Sequence, residues 1–256
     1  MALSGTAEAD VQKLTDRLRR IRHSIASSGL RRTVSDIAIQ ALSYSAEQDA
    51  SFDRKYGTDT SGIVQPVDLG IADDKVREQA ILYLGSPPRV TRWMLRNADV
   101  TPEQFSFVDL GCGKGRVLLL ASELPFRQVT GVEISAELCA IARRNVDTFR
   151  PWSRSGAITV ENADATKFEF PATNLLIHLY HPFDPELTLR IFAQLGSALA
   201  TRPRRVVVAY LLYTAAVPAV EAAFARIPWL TRKRYEHSVT GQYDWLIYEN
   251  NNPKPG

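Results

Sequence analysis

Asp109, Gly111, Gly113 and Gly115 alternate with other residues in FVDLGCGKGRVLLLAS, Phe107 to Ser122, a stretch that joins one apolar run to another. Glycines at such a junction let a ligand approach the main chain and permit positive φ. The helix expected to follow offers free N–H groups and a partial positive charge, which suit an anionic or strongly polar group. Two nucleotide-binding patterns are excluded by what surrounds these glycines. A P-loop needs Gly-Lys-Ser/Thr after four spacer residues, but Lys114 is followed by Gly115 and Arg116. A dinucleotide fingerprint needs a third glycine where helix packs closely on strand, and that position is Arg116. What remains is Gly-x-Gly-x-Gly led by an acid, a pattern whose meaning depends on its companions.

Two companions stand further along: Glu133 in TGVEIS and Asp164 in ENADA. With them, Val108 to Ala121 resembles the first motif of the class I S-adenosylmethionine-dependent methyltransferases, in both glycine spacing and leading acid. The resemblance spans about residues 101–250. It implies S-adenosylmethionine as cofactor, bound by Asp109, Gly111, Gly113, Gly115, Glu133, Asp164 and Ala165. Glu133 would accept from both ribose hydroxyls, as a two-oxygen carboxylate can. Asp164 would face the adenine amino group, with Ala165 supplying backbone beside it. Each acid singly also has an ordinary explanation: an acceptor for loop amides, a strand end, a turn. A nicotinamide oxidoreductase shares this strand–helix alternation and is the competing reading.

In that family the acceptor site borders the end of the fourth strand, which here reads LLIHLYHPFDPE. Many nitrogen-directed relatives carry Asp or Asn, prolines and an aromatic at this point. This chain has Tyr180, His181, Pro182 and Phe183, with histidine in place of the amide or acid. His181 and Tyr180 are therefore the candidate catalytic residues. A histidine there can take a proton near neutral pH, or serve as a spacer bonded to a carbonyl. His178 and His181 are three apart and point to opposite faces of a strand, so no metal is expected and His178 reads as a satisfied interior residue. Asp184 reads as a helix cap.

These residues must be held at strand tips. Strands are expected at Phe105–Leu110, Gln128–Ile134, Ala157–Glu161, Leu175–Tyr180, Arg205–Leu211, Leu230–Tyr235 and Tyr243–Glu249. Helices alternate with them at Lys114–Leu124, after Ser135, from Pro185 to about Leu199, and at Pro218–Ala225. The fold class is α/β: a Rossmann-like, seven-stranded, mostly parallel sheet that ends in an antiparallel hairpin. Residues 1–100 form an N-terminal helical cover, 101–250 the core and 251–256 a frayed tail. In the cover, Val11, Leu14, Leu18, Ile21 and Ile25 mark one helix, and Thr33 with Asp36 opens another. Residues 52–70 read as loop with a short strand at Ile63–Val67, and SPPRVTRWMLRNA as a helix opened by proline. DRKYGTDTSG and YLGSPPRV suit a lid, with Tyr56 and Tyr83 as pocket aromatics or as packing residues.

The chain has 256 residues, 45% of them hydrophobic and 23% charged, as in ordinary globular proteins. No apolar run approaches the roughly 20 residues that span a bilayer. MALSGTAEADVQKL lacks the basic and apolar regions of a secretory signal, and two cysteines make no framework; a cytoplasmic setting is expected. Net charge is +3, with Arg17, Arg19, Arg20, Arg22, Arg31 and Arg32 close together. No aromatic reader motif accompanies them, so a solvated helix face is expected rather than a nucleic-acid surface. The expected acceptor is a small molecule or peptide. The approach to the glycine loop, with Tyr83, also loosely resembles the Dot1-type lysine methyltransferases, which implies a protein acceptor as the alternative. A cofactor-binding partner or RNA-binding protein without turnover is the third possibility.

Overall fold

The structure, a computed structural model, describes residues 46–65, 83–180, 182–237 and 243–251. The two expected N-terminal helices and the arginine cluster lie outside the described residues. Within them the elements are α1 Ala46–Tyr56, β1 Ile63–Val64, β2 Tyr83–Leu84, α2 Pro88–Asn97, β3 Phe105–Leu110, α3 Arg116–Ser122, β4 Gln128–Glu133 and α4 Ala136–Phe149. There follow β5 Ala157–Asn162, β6 Asn174–Tyr180, α5 Pro185–Thr201, β7 Val206–Tyr213, α6 Val217–Phe224, β8 Leu230–His237 and β9 Tyr243–Asn250.

Seven strands form one sheet in the order β5-β4-β3-β6-β7-β9-β8, and β1 pairs with β2 in a separate antiparallel ribbon. The five strands from β5 to β7 pair in parallel. Parallel strands are covered on both faces, so they read as continuous apolar runs, and every residue of β3 is buried. Strand alternation sends Phe105 and Phe107 to a core shared with α1, α2, α3 and α4, while Val108 and Leu110 face a second core with α5 and α6. Helix starts follow local chemistry. Ser135 Oγ accepts from Leu138 N at 3.2 Å to cap α4, and Asp184 Oδ1 accepts from Leu187 N at 2.7 Å to cap α5, with Pro185 next. Pro87 and Pro88 open α2, which buries Met94 and Leu95.

The antiparallel hairpin lies at one edge of the sheet, as expected, with β9 between β7 and β8, antiparallel to both, and β8 outermost. One arrangement differs from expectation. Residues 52–56 are helical rather than loop. Phe52 and Tyr56, four apart, meet at 4.8 Å between ring centroids and pack against Phe149. An aromatic i, i+4 pair therefore replaces the aliphatic stripe that would have marked this helix.

Close packing of α3 on the sheet depends on β4. A Cβ added at Gly131 would sit 2.6 Å from Leu118 Cδ1 and 2.7 Å from Cys112 Sγ. The small residue that Arg116 could not provide thus comes from the neighbouring strand. Gly131→Ala is expected to destabilise the fold by about 1–3 kcal/mol through overpacking; an unchanged urea midpoint would show that the helix can shift at no cost.

Candidate functional site

β3 has β4 on one side and β6 on the other, so the loops leaving β3 and β6 part at a switch in strand order. Such a point opens a crevice at the carboxyl ends of the strands. Gly111, Gly113 and Gly115 cross it with φ of 77°, 53° and 85°, a region that side chains rarely adopt. Three neighbours press on this bare backbone. A Cβ at Gly111 would meet Pro182 Cβ at 2.6 Å, one at Gly113 the Tyr83 ring at 2.3 Å, and one at Gly115 Ala142 Cβ at 3.1 Å. The loop is pinned from below, where Gly111 N–H and Cys112 N–H both donate to Val132 O.

Glu133, at the tip of β4, is 8% exposed. Its Oε2 accepts from Gly113 N at 2.9 Å and its Oε1 from Ser135 N at 2.9 Å. No cation pairs with it among the described residues. Burial raises its pKa above the usual value, against the pull of those two N–H groups and that of Ile134. An ionised carboxylate has about four acceptor positions, so these donors leave Glu133 with acceptor capacity to spare. Beside it, Ala163 N and Asn162 Nδ2 both donate to Glu133 O, which ties the tip of β5 to that of β4. Asp164 follows. Its Oδ1 accepts from Thr166 N at 2.9 Å and Thr166 Oγ1 at 2.7 Å, capping the short turn that contains buried Ala165.

Asp109 lies within the sheet rather than in the loop. It is paired in register with His178 of β6, and Oδ1 is 2.6 Å from His178 Nδ1. His178 is interior, as expected, but only half satisfied, because Nε2 is buried without a partner. Such an orphan costs about 1–3 kcal/mol. Tyr180, half-buried, ends β6; His181 lies outside the described residues. Pro182 and Phe183 bring this segment onto Gly111. Burial, then the charge of Glu133, pushes the Cys112 thiol well up, so it is no nucleophile.

Residues 53–61 and 83–86 form a strap that lies against the loop. Arg116, 2% exposed, turns its guanidinium outward: Nε donates to Thr60 Oγ1 at 2.8 Å, Nη2 to Ser61 Oγ at 3.2 Å and Nη1 to Ser86 O at 3.4 Å. Lys114 Nζ reaches Asp59 Oδ1 at 2.8 Å. Asn145 Nδ2 bridges Asp59 O and Lys114 O. Asp53 accepts from Thr58, Thr60 and Ser61. Burial works to raise its pKa, but the hydrogen bonds from Ser61, Thr58 and Thr60 prevail and hold it below the ordinary carboxylate value. Tyr83 lies on Gly113 and donates its hydroxyl to Thr60 O at 2.7 Å, whereas Tyr56 packs among Phe52, Phe149 and Trp152. Arg116, Asn145, Gly131 and the bonding of His178 were not legible in the sequence. The one available signal was the arginine where a glycine was wanted.

Among the described residues no group of three or more His, Cys, Asp or Glu side chains could hold a metal, and no helix is long and apolar enough to cross a membrane. Residues 107–202, from β3 through α5, match a family model described as a methyltransferase domain. No curated protein matches the chain. Among solved structures it is similar to the ribosomal protein L11 methylase of Lactobacillus delbrueckii subsp. bulgaricus, at 17% identity and a TM-score of 0.51, over 68% of this chain and 83% of that one. It is also similar to a SAM-dependent methyltransferase from Aquifex aeolicus, at 13% identity and a TM-score of 0.49, over 64% and 94% of the two chains. The first of these likenesses shows a shared fold.

Proposed function

We propose that this chain, whose residues 107–202 match a methyltransferase-domain model, is a class I S-adenosylmethionine-dependent methyltransferase that methylates a nitrogen or oxygen nucleophile of a small molecule or peptide. The observation that supports the site assignment is Glu133, a buried carboxylate with spare acceptor capacity and no cation beside it among the described residues, at a loop whose three glycines have positive φ. That donor set fits an adenosyl group. Glu133 would hold the ribose hydroxyls, and the loop of Gly111, Gly113 and Gly115 would hold the rest of the cofactor. Asp164, with Oδ1 committed to its cap, offers Oδ2 to the adenine amino group next to the Ala165 backbone. Asp109 completes the set from the end of β3.

When bound, S-adenosylmethionine supplies an electrophilic methyl group on a sulfonium centre. The protein's own part is to exclude water and align the acceptor, a proximity effect, and to let the acceptor lose its proton. Tyr180, at the tip of β6, and His181 beside it are the groups proposed to border the acceptor and handle that proton. A lysine-bearing protein acceptor is the second reading, which the loose resemblance of Val108–Ala121 and Tyr83 to the Dot1-type enzymes implies. Incubating the full chain with methyl-labelled cofactor and cell extract separates the readings. Label is expected in the small-molecule and peptide fraction. A discrete labelled protein band would transfer the assignment to the lysine reading, and tight cofactor binding with no labelled product would favour a non-catalytic role.

A further inference from the structure

We infer that His178 is a positioning residue, which sets the orientation of the Asp109 carboxylate across the β3–β6 switch point. The two residues are register partners on the strands that flank this point. Their side chains meet at 2.6 Å between Nδ1 and Oδ1, at 0% and 2% exposure. A carboxylate only accepts, so the shared proton belongs to Nδ1. Its other nitrogen, Nε2, has no partner among the described residues. The imidazole is therefore retained in an apolar setting for one polar contact, although an apolar ring would leave no orphan there.

Packing makes that contact directional. Phe107 stacks on the imidazole at 6.3 Å between centroids and an interplanar angle of 27°, and the Trp245 indole lies 5.8 Å away on another side. Held between these rings, His178 can aim only Nδ1 at β3. Asp109 is separated from Gly111 by Leu110 alone, and acts electrostatically on Glu133, Tyr83 and Cys112, all of which touch the glycine loop. No Lys or Arg side chain pairs with Asp109 among the described residues, and the His178 imidazole is the ring that meets its carboxylate. Loss of this donor leaves the carboxylate free to rotate, which removes a fixed acceptor from the loop.

This inference rests on the reading of Asp109 as part of the cofactor site, and the test separates the two. In the full chain, His178→Asn keeps an N–H near the Nδ1 position, His178→Gln moves it toward Nε2, and His178→Phe removes it while filling the space. Calorimetric titration with S-adenosylhomocysteine is run on each, with circular dichroism and thermal melts to establish folding. His178→Asn is expected to bind within about threefold of the unsubstituted chain, and the other two about tenfold or more weaker, the worth of a hydrogen bond to a charged group. Thermal midpoints are not expected to follow that order. Unchanged affinity in His178→Phe, or an equal loss in all three variants, would overturn the inference. Asp109→Asn serves as the reference: if it binds normally, the reading of Asp109 fails first. If it binds weakly while His178→Phe binds normally, only the role of His178 falls.

Discussion

Glu133→Ala is expected to lower affinity for S-adenosylhomocysteine about 100-fold or more, with the protein still folded. The substitution removes up to two charge-assisted hydrogen bonds to the ligand, each worth about 1.5–3 kcal/mol. It also releases Gly113 N–H and Ser135 N–H, which fix the glycine loop and the start of α4. Acidification should reproduce part of this effect. Burial places the folded pKa of Glu133 above its ordinary value, so the ionised acceptor is present above that raised pKa and lost as pH falls through it. Ligand affinity should therefore weaken at a higher pH than an exposed glutamate would dictate. Stability of the ligand-free chain moves the other way. With the folded pKa above the unfolded one, the charged form is a cost to folding at high pH, and the cost is relieved as the folded state takes up its proton. Glu133→Gln should flatten the affinity profile. An alanine variant that binds within threefold of the original in calorimetry would take Glu133 out of the site.

Arg116→Ala is expected to cost about 3 kcal/mol, at the lower end of what breaking a buried charged network costs. For a chain of this size that is a fall in melting midpoint of about 6–12 °C. The side chain is buried and contacts Thr60, Ser61 and Ser86, with Asp53 at 3.9 Å and the Phe52 ring 5.4 Å away. Gly85 makes room for it, since a Cβ there would lie 2.6 Å from Nη1. Truncation therefore unties residues 53–61 and 83–86 from the glycine loop together. Arg116→Lys should recover little, because one ammonium cannot replace a planar fork that reaches three acceptors. Protease cleavage within residues 53–62 should accelerate in the alanine variant. Equal melting midpoints and equal cleavage rates would mean that the strap is held by Lys114 and Asn145 instead.

Features that depend on residues close together in the chain were legible in the sequence itself. Ser135 and Asp184 cap their helices through bonds spanning three residues, and cap chemistry acts at that range. The strands from β3 to β7 follow from apolar runs, and the placement of Glu133 and Asp164 at successive strand tips follows from the order of those runs. The glycine loop was read from its spacing, although its neighbours Pro182, Tyr83 and Ala142 were not.

Strand order, register and long-range polar contacts were decided by tertiary structure alone. Insertion of β9 between β7 and β8 depends on which hydrogen-bonding edge is free once the parallel strands have assembled, and apolar alternation is the same in either order. Asp109 and His178 are separated by 69 positions, and Arg116 and Thr60 by 56. No periodicity links such residues; they meet because parallel pairing sets one strand's register against another. Apolar patterning says which side chains go inward. Which polar groups then face each other depends on a packing geometry that exists only after the chain has folded.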